Sequence, residues 1–201
     1  RRVFVSSMGD VFHPGIPLAS QQAIILIAAQ CAGKHTFIFL TKRPENIQNA
    51  LALLPTAGHY NPYNYSNLWF GVTAENSARL EERVPVLFTA TAALPAVKRF
   101  VSCEPLLGPL SFKPQWFGRL QEVPGPALEW VIVGGETGVG ARPAPQVSWV
   151  REIRDECQEG HVPFFFKGWG AWPPVLPTGE KVGKYWLDGR EWKEIPEKPM
   201  L

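Results

Sequence analysis

The sequence predicts an α/β protein built on one parallel sheet of about six strands, with a small β-hairpin at its carboxyl end. Six short apolar segments carry the prediction: VFVS (3–6), TFIFLT (36–41), LWFGVT (68–73), RFVSC (99–103), WVIVG (130–134) and VPFFFK (162–167). They begin 31–33 residues apart, the length of a strand, crossover, strand unit. Several lack polar alternation, as parallel strands covered on both faces do. The hairpin follows from Asp188-Gly189 set between Tyr185-Trp186-Leu187 and Glu191-Trp192-Lys193, a strong two-residue turn signal.

The crossovers support this unevenly. Residues 17–32 are apolar almost all round and end at Gly33, which suits a helix buried against the sheet and makes Cys31 structural. Pro44 stands at the tolerated first position of a second helix, with Ile47, Leu51 and Leu54 on one face and Pro55 as its stop. Asn76 or Ser77 caps a third helix that runs through about Arg83. Residues 104–129 are rich in Pro and Gly without a helical period. They read largely as loop, unusual at that length and a hint of function. Pro145 opens a last helix with Val147, Val150, Ile153 and Cys157 on one side and Gly160 as its end, so Cys157 reads as a core thiol. The chain then divides into a sheet domain at 1–170 and a hairpin appendage at 171–201.

Composition narrows the classes. With 201 residues, 45% of them hydrophobic, the chain can bury a substantial core. Its longest aliphatic run, 23–29, falls short of the roughly 20 residues that cross a bilayer; no membrane partner is expected, and the cytoplasm is the expected compartment. Three widely separated cysteines form neither a disulfide framework nor a Cys-x-x-Cys knuckle. His13, His35, His59 and His161 are scattered without metal-ligand spacing. A net charge of +2 with both signs mixed gives no strong field for nonspecific nucleic-acid binding. The chain opens with Arg1-Arg2 and enters a strand at once, which reads as a fragment or a processed product. Its 20 prolines, about twice the usual share, punctuate the loops.

Each apolar run ends in polar residues, and in parallel α/β sheets ligands bind at the carboxyl ends of the strands. The clusters are Ser6-Ser7-Met8-Gly9-Asp10, Thr41-Lys42-Arg43, Thr73-Ala74-Glu75-Asn76, Ser102-Cys103-Glu104, Gly134-Gly135-Glu136-Thr137-Gly138 and Lys167-Gly168-Trp169-Gly170. A parallel sheet brings them to one rim. Glu104 is the member hardest to assign to structure alone, because a carboxylate at a buried strand end must pair or face a polar cavity. Cys103 has a plain alternative as a buried thiol. Lys42 has one as a solvated helix start, and Gly134 and Gly135 as a tight turn.

These strand-end stretches, in this order, resemble a family of phage and prophage proteins of uncharacterised function named after phage gene products thirty-seven and sixty-eight. The matching words are RRVFVSSMGDVFH, HTFIFLTKRPE, LWFGVTAEN, RFVSCEPLLGPL, WVIVGGETGVGARP, VPFFFKGWG and LDGREW, spanning nearly the whole chain. The resemblance implies a partial β/α barrel similar to radical S-adenosylmethionine enzymes. It also implies an amino-terminal cysteine cluster for a [4Fe–4S] centre, upstream of the position where this chain begins. None of Cys31, Cys103 and Cys157 has a neighbouring cysteine at ligand spacing, so this chain alone is expected to hold no such centre. On the same resemblance Asp10 would receive a cofactor amino group, and Thr73, Glu75 and Asn76 would meet a ribose. Ser7, Gly134, Gly135 and Glu136 would border S-adenosylmethionine, while Lys42, Cys103, Glu104 and Lys167 would face the substrate as catalytic residues.

Two functional readings follow. One is a radical S-adenosylmethionine-type enzyme, active only with its cluster segment, acting on an unidentified small molecule or on nucleic acid or its precursors. The other is a noncatalytic β/α module that uses the same rim to bind a ligand or partner. A simple hydrolase ranks last, since no nucleophile elbow, triad or metal pattern is present.

Overall fold

A computed structural model describes residues 1–54, 65–118, 125–175 and 182–196. Pro55 and His59 lie outside them. Six parallel strands, β1 (Arg2–Val5), β2 (Thr36–Thr41), β3 (Leu68–Thr73), β4 (Lys98–Cys103), β5 (Trp130–Gly134) and β6 (Phe164–Gly168), follow one another across the sheet in chain order. The sheet curls into a half-barrel. Sequential order with parallel pairing means that every crossover returns to the same end, which places all six carboxyl termini on one rim.

The helices obey the expected crossover positions with changed bounds. α1 is Leu18–Gln30, a 3-10 turn at Pro44–Asn46 leads into the short α2 (Ile47–Leu51), and α4 is Val147–Glu159. α3 runs Ser77–Ala90, a full turn and more beyond Arg83, and carries Pro85 in its interior. Leu80, Val84 and Leu87 are fully buried at helical spacing across that proline, so packing overrides the local stop signal. Asn76 caps the helix, its Oδ1 accepting from Arg79 N at 3.1 Å. In the fourth crossover the described residues hold one 3-10 turn, Pro114–Phe117, and β6 starts at Phe164, two residues later than expected.

Alternation along the strands sorts two cores. Phe39, Phe70, Val72, Val101, Cys103, Val131, Val133, Phe164 and Phe166 pack on the helix-covered side with Ile25, Leu80, Val84, Leu87, Val150, Ile153 and Cys157. Ile38, Trp69, Phe100, Trp130 and Ile132 form a smaller cluster on the concave side, closed below by Ile195. Trp130 is its centre, with Trp69, Phe100 and Phe165 rings at 5.8, 5.5 and 5.9 Å. Gly71 is required there, because a Cβ at that position would run into the Phe100 ring.

The two edges of the sheet differ. Residues 192–194 cover β6: Phe166 N donates to Trp192 O at 2.9 Å and Glu194 N to Phe164 O at 3.2 Å. β1 is bonded to β2 alone among the described residues, and Val3 and Phe4 are exposed. That departs from the expectation that the strands are covered on both faces. The carboxyl-terminal hairpin pairs β7 (Trp186–Leu187) with β8 (Arg190–Glu191) through Asp188 and Gly189, both at positive φ, as a type I′ turn requires. Leu187 and Trp192 join the helix-side core. No helix among the described residues is long and apolar enough to cross a membrane.

Candidate functional site

The concave face opens at the carboxyl rim into a cavity of about 620 Å³. Phe4, Leu40, Trp130, Ile132 and Phe165 line its apolar part, and Ser7, Ser102, Glu104, Glu136, Thr137 and Lys167 supply its polar groups. Lys167 Nζ donates to both Glu104 oxygens, at 2.7 and 3.0 Å. The two residues stand on β6 and just past β4, with β5 between them, and Gly134 occupies the intervening position. A Cβ on Gly134 would lie 3.3 Å from Lys167 Cβ and 3.4 Å from Glu104 Cδ, so any side chain there would crowd the pair. Glu104 is mostly covered, with its side chain 22% exposed, whereas that of Lys167 is 60% exposed. The carboxylate is thus the fixed partner and the ammonium the accessible one.

Backbone contacts build the cavity's β5–β6 wall. Gly135 N donates to Gly168 O at 2.9 Å and Ala171 N to Glu136 O at 2.8 Å. A Cβ on Gly135 would collide with the Trp169 carbonyl, and one on Gly170, at φ +88°, with Glu136 O. The two glycines therefore let two loops approach backbone to backbone. Glu136 Oε2 accepts from Arg142 N at 3.0 Å, which orients that carboxylate at the mouth.

Asp10, Lys42 and Glu75 form a second cluster on the rim of β1–β3. Asp10 accepts from Phe12 N at 3.0 Å, Thr41 Oγ1 at 2.9 Å and Arg43 NH1 at 2.8 Å. Glu75 accepts from Lys42 Nζ at 2.6 Å and Arg83 NH1 at 3.0 Å, and Arg83 also donates to Thr73 O at 2.6 Å. Burial pushes the Glu75 carboxyl upward, but Lys42, a hydrogen bond from its own backbone and Arg83 together outweigh it and hold its pKa below the ordinary value. Both oxygens of each carboxylate accept from protein donors, which ties the rim of the first three strands together. The Asn76 side chain is engaged in capping, and Thr73 is buried beside Ser102 in the β3–β4 register.

Cys103 lies apart from both groups. It is fully buried in the helix-side core, and burial, with Glu75 acting in the same direction, pushes its thiol well above the usual range. The cause is strand geometry: successive side chains point to opposite faces, so Ser102 and Glu104 share the cavity side and Cys103 cannot. Of the expected site residues, then, Ser7, Glu104, Gly135, Glu136 and Lys167 line the cavity, with Gly134 beneath the ion pair. Ser102, Trp130, Ile132 and Phe165 join them there, whereas Arg43 and Arg83 hold the carboxylates of the second cluster. The same two-residue period was the signal that could have found the cavity residues.

The arrangement sets adjacent opposite charges over an aromatic and aliphatic surface. It suits a ligand with a planar apolar body and polar groups at one end, in a volume typical of small-molecule sites. Among the described residues no group of three or more His, Cys, Asp and Glu side chains is placed to hold a metal ion. Cys31 is at the end of α1, and Cys103 and Cys157 are buried on the helix side, so the thiols present do not fit an iron–sulfur centre at the cavity.

No curated protein and no solved structure matches the chain. A family profile described as "Protein of unknown function (DUF5131)" matches residues 1–196, and with nearly its whole length so covered the chain belongs to that family.

Proposed function

We propose that the chain binds S-adenosylmethionine in the concave cavity, as the ligand-holding half-barrel of a radical S-adenosylmethionine-type enzyme that acts on a nucleotide or nucleic acid. The observation that carries this reading is the Glu104–Lys167 pair above Trp130 and Phe165 at the carboxyl ends of the strands. Phe4, Leu40 and Ile132, with the edges of Trp130 and Phe165, offer an apolar surface for an adenine ring. Glu104 suits the methionyl ammonium and Lys167 the carboxylate, each replacing the protein partner it now has. When bound, the ligand supplies a sulfonium centre with electrophilic carbons; the chain's own groups orient it and keep its adenosyl end away from water. The cysteines do not fit a [4Fe–4S] centre, so no role is assigned to one within residues 1–196.

Calorimetric titration with S-adenosylmethionine and S-adenosylhomocysteine tests the reading. Wild type is expected to bind both, and Glu104→Gln and Lys167→Met to weaken S-adenosylmethionine at least tenfold with little change in melting temperature. Absence of binding in the wild type, or equal affinity in both variants, overturns it. A second reading, a binding module without catalysis, is favoured by the placement of all three cysteines away from the cavity. Affinity for the ligand without its turnover under reducing conditions, in a chain extended upstream, would select that alternative.

A further inference from the structure

We propose that the carboxyl-terminal appendage is a stacking platform for single-stranded nucleic acid beside the cavity mouth. Trp172, Val175, Tyr185 and Trp186 are 65%, 59%, 45% and 50% exposed. They lie on two segments joined by Val182 N donating to Pro174 O at 3.0 Å. Large aromatic groups standing in water on adjoining segments are the surface on which unpaired bases stack without regard to sequence.

The platform is held rigidly. Trp169 N donates to Lys184 O at 3.0 Å and its Nε1 to Trp186 O at 2.9 Å, which fixes the backbone from which Tyr185 and Trp186 project. Arg151 and Arg154 of α4 hold the turn residue Asp188, each with a contact of 2.5 Å. Aromatic groups carried on a fixed backbone lose less entropy on stacking than groups on a free loop.

Charge favours a polyanion over an apolar protein partner. Lys184 Nζ lies 5.6 Å from the Tyr185 ring, Arg190 stacks 3.5 Å over Trp192, and Lys193 Nζ lies between the Tyr185 and Phe165 rings at 5.3 and 4.8 Å. None of these three cations has a carboxylate at ion-pair distance among the described residues. In contrast, the rim cations Lys42, Arg43 and Arg83 are each paired. Lys193 Nζ also donates to Phe166 O at 2.7 Å, and Glu191 stands opposite Trp186 in the hairpin. Lys184, beside the exposed Tyr185 ring, is therefore the cation this surface offers a phosphate, and cation and aromatic faces side by side are the pattern of a single-strand site. Phe165 lines the cavity and Tyr185 packs over Gly168, next to Lys167, so a strand lying on the platform would lead toward the cavity.

The direction of the strand rests on the cavity being the ligand site, whereas binding to the platform can be measured without S-adenosylmethionine. Fluorescence anisotropy with labelled 12-nucleotide oligo(dT) and oligo(U), and with a duplex of equal length, is the experiment. Single strands are expected to bind more tightly than the duplex. Trp172→Ala and Trp186→Ala should each weaken them about tenfold, and Lys184→Glu should weaken them and make the salt dependence shallower. S-adenosylmethionine titration of the tryptophan variants should match wild type, which separates failure of the platform from failure of the cavity. No single-strand binding at low salt, equal binding by the tryptophan variants, or tighter duplex binding overturns the proposal. So does sedimentation showing that wild type self-associates through this patch and Trp186→Ala does not.

Discussion

Lys167 bonds to both carboxylate oxygens of Glu104 across an intervening strand, and the residue of that strand between them is Gly134. With one contact already at 3.3 Å for a single added carbon, the branched side chain of Gly134→Val is expected to push the pair apart. The expected outcome is a loss of S-adenosylmethionine affinity at least as large as that of Lys167→Met, measured by calorimetry. Retention of wild-type affinity would show that the pair and the ligand site are independent.

Gly71 and Phe100 make a second such couple, on the concave face below the cavity. Gly71→Ala inserts a methyl group into space the Phe100 ring occupies, and overpacking of this kind costs about 1–3 kcal/mol. Chemical denaturation should show that loss, and Phe100→Leu in the same chain should recover part of it. Two losses that simply add would mean that the ring and the glycine do not constrain each other.

Glu75 makes stability depend on pH. Its folded pKa is lowered from 4.5, because Lys42, its own backbone hydrogen bond and Arg83 outweigh the upward push of burial. A depressed carboxyl contributes stability that is fully present above its unfolded pKa and lost as pH falls through the folded value. Glu75→Gln should therefore be less stable than wild type at pH 7, with the gap closing below about pH 4.5. Glu156 carries the opposite sign: burial raises its pKa above 4.5, against the hydrogen bonds from Phe112 N and Ser111 Oγ. Its ionisation in the fold opposes stability at neutral pH, and that cost disappears on acidification. Melting temperatures of Glu75→Gln and Glu156→Gln across pH 3–8 should thus diverge from wild type in opposite directions.

Cys103 should behave as a core residue. A hydroxyl placed in this apolar core carries a desolvation penalty that a thiol does not, so Cys103→Ser is expected to cost about 1–3 kcal/mol while S-adenosylmethionine affinity stays unchanged. In the native protein the thiol should resist alkylating reagents until the chain unfolds. Rapid labelling under native conditions would contradict its burial.

The strand spacing made the sheet legible, because six apolar runs at nearly equal intervals leave little choice but repeated parallel crossovers. The strand ends were legible as a rim for the same reason. What spacing alone left unread was direction. Glu104 and Cys103 are neighbours in sequence and opposites in the sheet, whereas Glu104 and Lys167, 63 residues apart, meet. Asp10, Arg43 and Glu75 all stand in the strand-end clusters of the rim, whereas Arg83, on the face of α3, reaches Glu75 only through the packing of that helix. Pro85 shows the reverse case, a local signal for helix termination that burial of Leu80, Val84 and Leu87 overcomes.

The unequal edges give the sheet a direction of growth. On the β6 flank the backbone groups of Phe164 and Phe166 are taken by residues 192–194, so that flank accepts no newcomer. On the β1 flank the outward-facing N–H and C=O groups of Arg2–Val5 are unclaimed among the described residues, beside an exposed Phe4 that already forms part of the cavity wall. A further strand from any source would add there, deepening the trough from the side opposite Glu104 and Lys167 and leaving that pair in place. An extended peptide designed against this flank would therefore reshape the chamber without touching its charged lip, a handle for tuning which ligands fit.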